Sequence, residues 1–228
     1  MFHPDPFASD KIVVTITPAN YKQYAANLSV GQIAMFEKYK TFKMNVYPTR
    51  RSAAFPQRTY DFTFKNATTC TLVANGEGVK NCAEGLPFPI PQNGFEVIWN
   101  HKLKYKGVSF SRFASQAAPS ASGAFTLTAI REDGLGLYYK PGNTTANIND
   151  ILLYFKQEVL SPARLAGQVL LVHESLNSVQ TPRKAWVYNP GQRRVRRAPN
   201  IAYDNPGTAA DNLRTTDMTD MFNGSLDR

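Results

Sequence analysis

The chain has 228 residues, of which 43% are hydrophobic and 19% are charged, and its formal net charge is +9. This composition is typical of a globular protein with a buried core, and no stretch is long and apolar enough to predict a transmembrane helix. The positive charge favours anionic partners, namely nucleic acid, lipid headgroups or acidic proteins, with plain solubility as the alternative. The first six residues lack the basic and apolar segments of a signal peptide, which leaves a cytoplasmic protein or a trimmed or mis-started N-terminus.

The first half of the chain is predicted to contain short helices. Residues 1–16 form a proline-rich entry arm, and residues 17–106 hold the helices and a hairpin with both cysteines. Ser29–Gln32 has the spacing of a capping box, which predicts that a helix begins there, and Asn93–Glu96 predicts a second helix start. The stretch 59–69 fits either a strand, by its alternation, or a helix.

Cys70 and Cys82 are the two cysteines of the chain. The dipeptide Asn75-Gly76 between them is a strong signal for a hairpin turn, which would bring the two thiols together. A disulfide is therefore feasible and would indicate an oxidising compartment, whereas two unpaired cytosolic thiols are the alternative.

Residues 107–199 are predicted to form the antiparallel sheet around which the chain is organised. Apolar runs and alternating patterns separated by short turns predict a meander of strands, including 134–139 as a short strand. The clearest strands are Ile151 to Leu160, Gly167 to Leu176, Lys184 to Tyr188 and Arg193 to Arg197. Helices followed by strands predict an α+β fold, with short helices covering one face of a curved antiparallel sheet. We expect a single domain over residues 1–228, in which residues 200–228 are an extended tail.

A curved sheet capped by helices predicts an apolar cavity between the two layers, where a ligand is commonly found. The candidate lining consists of aromatic and aliphatic residues on a helix and on the strands: Trp99, Tyr154, Phe155, Leu170, Val172, Trp186 and Tyr188. Burial in the core is the alternative for most of these side chains.

The basic run near the end of the sheet is the sharpest charge feature. As a strand, it places Arg194 and Arg196 on one face and Arg193 and Arg197 on the other. One interpretation is an edge strand protected from aggregation by its charges. The other is a rim that contacts lipid headgroups or an acidic partner.

No pattern in the chain predicts catalysis. The three histidines, His3, His101 and His173, have no zinc-site spacing, and the sequence has no phosphate-binding loop, dinucleotide fingerprint or nucleophile elbow. We therefore expect no enzymatic activity, no metal and no cofactor. Nucleic acid is not expected either, because the aromatic residues lie in apolar runs rather than among the arginines.

Several long motifs resemble a family of uncharacterised bacterial envelope proteins. They are Pro87 to Pro91, Trp99-Asn100-His101, Ile151 to Gly167, Ala185 to Pro199 and Ala202 to Thr208. Such proteins are often labelled outer-membrane lipoprotein-sorting proteins, in the LolA/LolB-like superfamily. The resemblance implies a periplasmic protein with a half-open antiparallel barrel closed by helices. In better-known superfamily members the concave face holds lipoprotein acyl chains.

The relatives of that family carry a signal peptide and continue well beyond this length with further strands. The resemblance therefore implies the N-terminal part of a longer protein, with an incomplete barrel. We expect a periplasmic carrier or adaptor that binds a hydrophobic or acylated ligand, a lipid or a lipoprotein, in outer-membrane trafficking. The alternative is a docking module for an envelope transporter or an outer-membrane protein, without a lipid ligand. Peripheral contact with a membrane is compatible with both.

Overall fold

The computed structural model describes residues 7–50, 54–198 and 203–219, which form two compact units, one within Met1–Ala54 and one within Phe55–Arg228. In the first unit, β1 (Val14–Ile16) pairs antiparallel with β2 (Met44–Val46). A 3-10 helix (Tyr21–Asn27) and α1 (Val30–Lys38) lie between these two strands in sequence. The predicted capping box is confirmed, since the Ser29 hydroxyl accepts from the Gln32 amide and the Gln32 side chain accepts from the Ser29 amide.

The helical part of the second unit contains α2 (Gln57–Thr69) and α3 (Gly94–Lys102), separated by a hairpin of β3 (Thr71–Val73) and β4 (Gly78–Lys80). The ambiguous stretch 59–69 is thus a helix. In this helix the buried carboxamide of Asn66 donates to the Ala83 and Leu86 carbonyls and accepts from the Ala83 amide. These hydrogen bonds satisfy the buried side chain and attach α2 to the loop that follows β4.

Trp99 is the centre of the hydrophobic core of this unit, with 0% of its surface exposed. Its indole Nε1 donates to the Gly76 carbonyl over 2.8 Å. The core brings together the cysteine hairpin, α3 and residues between 138 and 176. Its buried members are Val79, Cys82, Trp99, Leu103, Tyr138, Tyr139, Ile148 and Leu176. It therefore lies beside one end of the sheet strands.

Gly76 shows why the hairpin turn needs glycine. Its φ is +94°, and a Cβ there would come within 2.6 Å of the Phe95 ring. The turn is longer than a two-residue hairpin loop, because residues 74–76 form a 3-10 turn in which Asn75 also has positive φ. The disulfide between Cys70 and Cys82 closes this hairpin, with their Cα atoms 4.8 Å apart.

Six antiparallel strands form the main sheet in the order β10-β9-β8-β7-β6-β5, the meander that the sequence predicts. They are β5 (Ser109–Ala117), β6 (Leu127–Gly136), β7 (Ile151–Ser161), β8 (Val169–Ser175), β9 (Lys184–Asn189) and β10 (Arg194–Ala198). The sheet is curved and does not close, so the predicted α+β fold with a half-open antiparallel sheet is confirmed. The separate strand predicted at 134–139 is wrong, because β6 runs without a break to Gly136 and turns follow.

Within the predicted tail, 200–228, residues 203–219 fold into turns closed by backbone hydrogen bonds from Gly207 to Arg214 and from Thr216 to Asn205. Gln116 on β5 holds this segment, since its Nε2 donates to the Thr208 and Ala209 carbonyls over 2.6 and 2.7 Å. Residues 1–6, 200–202 and 220–228 of the predicted arm and tail lie outside the described residues.

Candidate functional site

The strand register divides the sheet side chains into two faces. Directly opposed residues of antiparallel strands share a face, and successive residues along a strand alternate between faces. Following the register from Phe110 through Gly134, Phe155 and Val172 to Ala185 defines what we term the inner face. The neighbouring residues on each strand define the outer face.

The inner face is the more buried side of the sheet. Ile130, Val159, Val172 and Ala185 are buried on it, although none of them belongs to either core cluster. At the β5 edge, the inner-face side chain of Gln116 holds the segment of residues 203–219. The outer-face neighbours on the same strands are more exposed.

One row on the inner face is apolar across all six strands. This apolar row consists of Phe110, Gly134, Phe155, Val172, Ala185 and Ala198. A Cβ at Gly134 would collide with the Phe110 ring, so glycine lets that ring lie across the neighbouring strand. With strands about 4.8 Å apart, five spacings make the row about 24 Å long.

The next inner row is polar towards the β5 edge, apolar on β8 and β9, and cationic at the β10 edge. Glu132 is buried and accepts hydrogen bonds from the guanidinium of Arg112 and, over 2.7 Å, from Nε2 of Gln157. Leu170 and Val187 follow in register on β8 and β9, and Arg196 ends the row on β10. The apolar row is thus bordered by a satisfied polar group at one end and by a cation at the other.

The outer face carries an aromatic cluster. The His173 ring lies between Tyr154 and Trp186, with ring centroids 4.6 and 4.7 Å away and both pairs edge to face. Tyr188 and the 64% exposed Val195 are directly opposed on the same face. With the half-buried Leu171, these residues form what we term the aromatic patch: Tyr154, Leu171, His173, Trp186, Tyr188 and Val195.

Burial, followed by the nearby Lys184 ammonium, lowers the pKa of His173 below its ordinary value near 6.5. Lys184 is directly opposed to His173 in the register, which explains the repulsion. At neutral pH the ring is therefore uncharged.

The four arginines of the basic run do not form one rim. Arg194 and Arg196 lie on the inner face, whereas Arg197 is opposed to Trp186 and lies on the outer face. Arg193 precedes β10 and has a left-handed backbone, with φ of 52°, so it belongs to the turn. Within the described part of the chain, none of the four has a carboxylate partner at ion-pair distance.

Comparison with known proteins identifies the family. A family model described as a protein of unknown function, DUF1329, matches residues 15–228. The chain belongs to the DUF1329 family. This confirms the membership inferred from the sequence motifs. An uncharacterized protein of Pseudomonas aeruginosa is 49% identical over 231 residues, a match that spans 100% of this chain and 50% of that protein. The chain thus spans about half the length of this DUF1329 relative.

Two solved structures are also similar. A DUF1329 protein from Desulfovibrio piger is 14% identical, with a TM-score of 0.39 over 54% of this chain and 46% of that one. A putative outer membrane lipoprotein-sorting protein domain from Vibrio parahaemolyticus is 16% identical, with a TM-score of 0.36 over 52% of this chain and 46% of that one.

In this DUF1329 chain, the seven residues predicted to line one cavity occupy three places. Phe155, Leu170 and Val172 share the inner face. Tyr154, Trp186 and Tyr188 share the outer face, and Trp99 is enclosed in the helical core. Alternation along the strands causes the division, because adjacent residues such as Tyr154 and Phe155 point to opposite sides.

Sequence reasoning missed the polar side chains of the inner face, Arg112, Glu132 and Gln157. The spacing of Glu132 was the available signal, because it lies two residues after Ile130 on β6 and therefore on the same face. Among the residues that the structure describes, no three His, Cys, Asp or Glu side chains are grouped as metal ligands. None of the helices in the described ranges has both the length and the apolar character needed to cross a bilayer.

Proposed function

We propose that this chain is a non-catalytic periplasmic carrier or adaptor that holds a hydrophobic or acylated ligand on the inner face of its sheet. The ligand is a lipid or the acyl chains of a lipoprotein, in traffic towards the outer membrane. The apolar row carries the proposal, because it runs across every strand of the sheet and ends at two half-buried residues, Phe110 and Ala198. An alkyl chain placed along it would replace water with apolar contacts.

The charged residues beside the apolar row indicate in which direction an amphiphilic ligand would lie. Arg194 and Arg196 lie on the inner face of the edge strand, where a carboxylate or phosphate headgroup can accept their hydrogen bonds. At the other edge, the Arg112 guanidinium is held by Glu132 while 58% of its side chain stays exposed. A chain with one anionic end therefore fits with its headgroup at β10 and its tail towards β6.

The periplasmic location is supported by the disulfide between Cys70 and Cys82, since disulfides persist in oxidising compartments and are rare in the cytosol. The motifs that resemble envelope proteins support the same compartment. The chain matches about half of the Pseudomonas aeruginosa relative. The other half of such a protein would extend the ligand surface or bind a transporter.

A pair of variants on β8 tests the inner face. Leu170 lies on the inner face and Leu171 on the outer face, and both are half-buried. We expect Leu170→Glu to weaken binding of cis-parinaric acid, a fluorescent fatty acid, at least about tenfold, because an unpaired charge would face the alkyl chain. Leu171→Glu places the same charge one residue away and should change the affinity less than about twofold.

Circular dichroism and urea unfolding establish that both variants are folded, and Leu170→Gln provides a neutral version if the charged one is not. Native mass spectrometry of protein purified from bacteria supplies the second measurement. We expect a bound lipid on the wild-type chain and on Leu171→Glu, and a loss of lipid from Leu170→Glu. Equal binding by the two variants would contradict the inner-face assignment. A wild-type chain that carries no lipid and binds no probe would instead favour the docking module.

A further inference from the structure

One row of the outer face changes from polar to apolar across the sheet. On β5 to β7 this row consists of Ser111, Asp133 and Lys156. On β8 to β10 it continues with Leu171, Trp186 and Arg197. The aromatic patch begins at Tyr154 on β7 and extends over β8 to β10, whereas the exposed apolar residues of β5 and β6 on this face, such as Phe113, lie among serines and charged side chains.

The charges of the outer face are divided in the same way. The carboxylates lie on β6 and β7, where Asp133 pairs with Arg131 over 3.2 Å and Glu158 pairs with Lys156 over 3.4 Å. On β9 and β10 the aromatic patch is bordered by Lys184 and Arg197, neither of which has a carboxylate partner within the described ranges. This half of the outer face is thus both apolar and positively charged.

We propose that the aromatic patch docks on an anionic lipid bilayer. Tyrosine and tryptophan rings favour the headgroup level of a membrane, because they combine an apolar body with a polar tip. Lysine and arginine extend their charged ends to lipid phosphates while their stems stay in apolar surroundings. The edge-to-face contacts among Tyr154, His173 and Trp186 fill space between the rings, which makes a compact interfacial anchor rather than an open platform for stacking bases.

This site is distinct from the inner-face ligand site, because the two lie on opposite sides of the same strands. Binding at one face can fail while binding at the other persists. On β10 the division is between neighbours, with Arg197 on the membrane side and Arg196 on the ligand side. Docking by the outer face would leave the inner face free to receive or release a ligand beside the bilayer.

Two double variants with the same net charge test the docked face, one on the aromatic patch and one outside both proposed sites. We would measure flotation with vesicles of phosphatidylcholine containing one-third phosphatidylglycerol, and with pure phosphatidylcholine vesicles. The variants are Lys184→Gln with Arg197→Gln on the outer face, and Lys65→Gln with Lys80→Gln, two exposed lysines on α2 and β4 outside the main sheet. Each outer cation should contribute about fivefold to the affinity for anionic vesicles, so the outer double variant should bind about 25-fold more weakly.

The Lys65 and Lys80 double variant should lose less than about threefold, through the general field alone. Wild-type binding should also weaken at high salt and be slight on pure phosphatidylcholine. Equal losses in the two double variants would overturn the proposal, since they would indicate attraction by net charge without a docked face. A wild-type chain that ignores anionic vesicles would also overturn it and would direct attention to an acidic protein partner.

Trp186 gives a readout that needs no variant. It is one of two tryptophans, and the other, Trp99, is fully buried. Vesicle binding should shift the emission to the blue and reduce acrylamide quenching, because half-buried Trp186 enters the headgroup region while Trp99 stays in the core. Flotation without any change in Trp186 emission or quenching would place the contact elsewhere and overturn the assignment to the aromatic patch.

Discussion

The buried polar group of Glu132 and Gln157 allows a quantitative test of how the inner face is held together. Gln157 donates to Glu132 over 2.7 Å, and Glu132 also accepts from Arg112. Glu132→Leu would leave the buried Gln157 amide unpaired, a loss of about 1–3 kcal/mol. The loss of the Arg112 contact adds about 0–1 kcal/mol, because 58% of that side chain is exposed and screened by solvent. We therefore expect Glu132→Leu to destabilise by about 2 kcal/mol.

Gln157→Leu alone should destabilise by a similar amount, about 2 kcal/mol, because it removes a donor from a buried carboxylate. The double replacement should fall within about 1 kcal/mol of the wild type, since it exchanges the polar pair for apolar contacts. The cycle thus predicts a coupling of about 3 kcal/mol, measured by urea unfolding at neutral pH. Asp133→Asn is the control, because its ion pair with Arg131 is exposed and should contribute at most about 1 kcal/mol.

Two results would refute this reasoning. Single variants within about 0.5 kcal/mol of the wild type would show that the buried contacts do not contribute to stability. A double variant as unstable as the sum of the two singles would show that Glu132 and Gln157 act independently, contrary to their contact.

Three further predictions concern other parts of the second unit. Thiol titration of the unfolded, unreduced chain should find no free thiol at Cys70 or Cys82, and reduction should lower the free energy of unfolding by about 2–3 kcal/mol; two reactive thiols would contradict the bridge. NMR should place the pKa of His173 below 6.5, and Lys184→Gln should raise it. The contribution of His173 to the free energy of unfolding should be complete above pH 6.5 and decline as the pH falls towards the folded pKa. An unchanged titration in Lys184→Gln would exclude repulsion by Lys184. Gly76→Ala should destabilise by about 2–4 kcal/mol in urea unfolding, because it adds strain at positive φ to a steric collision.

Gly94→Ala is the control for the last of these. A Cβ at Gly94, the first residue of α3, would have no heavy atom within 4 Å beyond its chain neighbours and the backbone of its own helix. We expect this replacement to leave stability unchanged or to raise it by up to about 1 kcal/mol, because alanine favours helix. Equal effects of the two replacements would show that the turn geometry does not require glycine at position 76.

The strands and caps of the fold follow from local patterns, which explains why the sequence predicts them. The capping box at Ser29–Gln32 and the antiparallel order after residue 150 depend on residues close in sequence. The end of β6 was predicted wrongly because its inner positions are Glu132 and Gly134, which hide the alternation of a buried strand. Local pattern left the stretch 59–69 open between a strand and a helix, and the contact of Asn66 that accompanies the helix joins it to Ala83, which is distant in sequence.

The candidate site was only partly predictable, because it depends on register. Apolar character selects Phe155, Leu170 and Val172 on the inner face, but it selects Tyr154 and Trp186 on the outer face equally well. The sheet also has register irregularities next to Ala129 and Ile151, which a sequence pattern does not reveal. The polar partner of the inner face, Glu132, is not apolar and therefore escaped a search for an apolar lining.

Methyl NMR with a fatty acid tests the central claim most directly, because the methyl groups of the two faces alternate along the strands. Adding oleic acid should shift the inner methyl signals of Leu170, Val172 and Ala185 and leave those of Val169 and Leu171 on the outer face nearly unchanged. That pattern would place the ligand on the inner face. Shifts confined to Val169 and Leu171, or no shift at saturating oleic acid, would contradict the proposed carrier function.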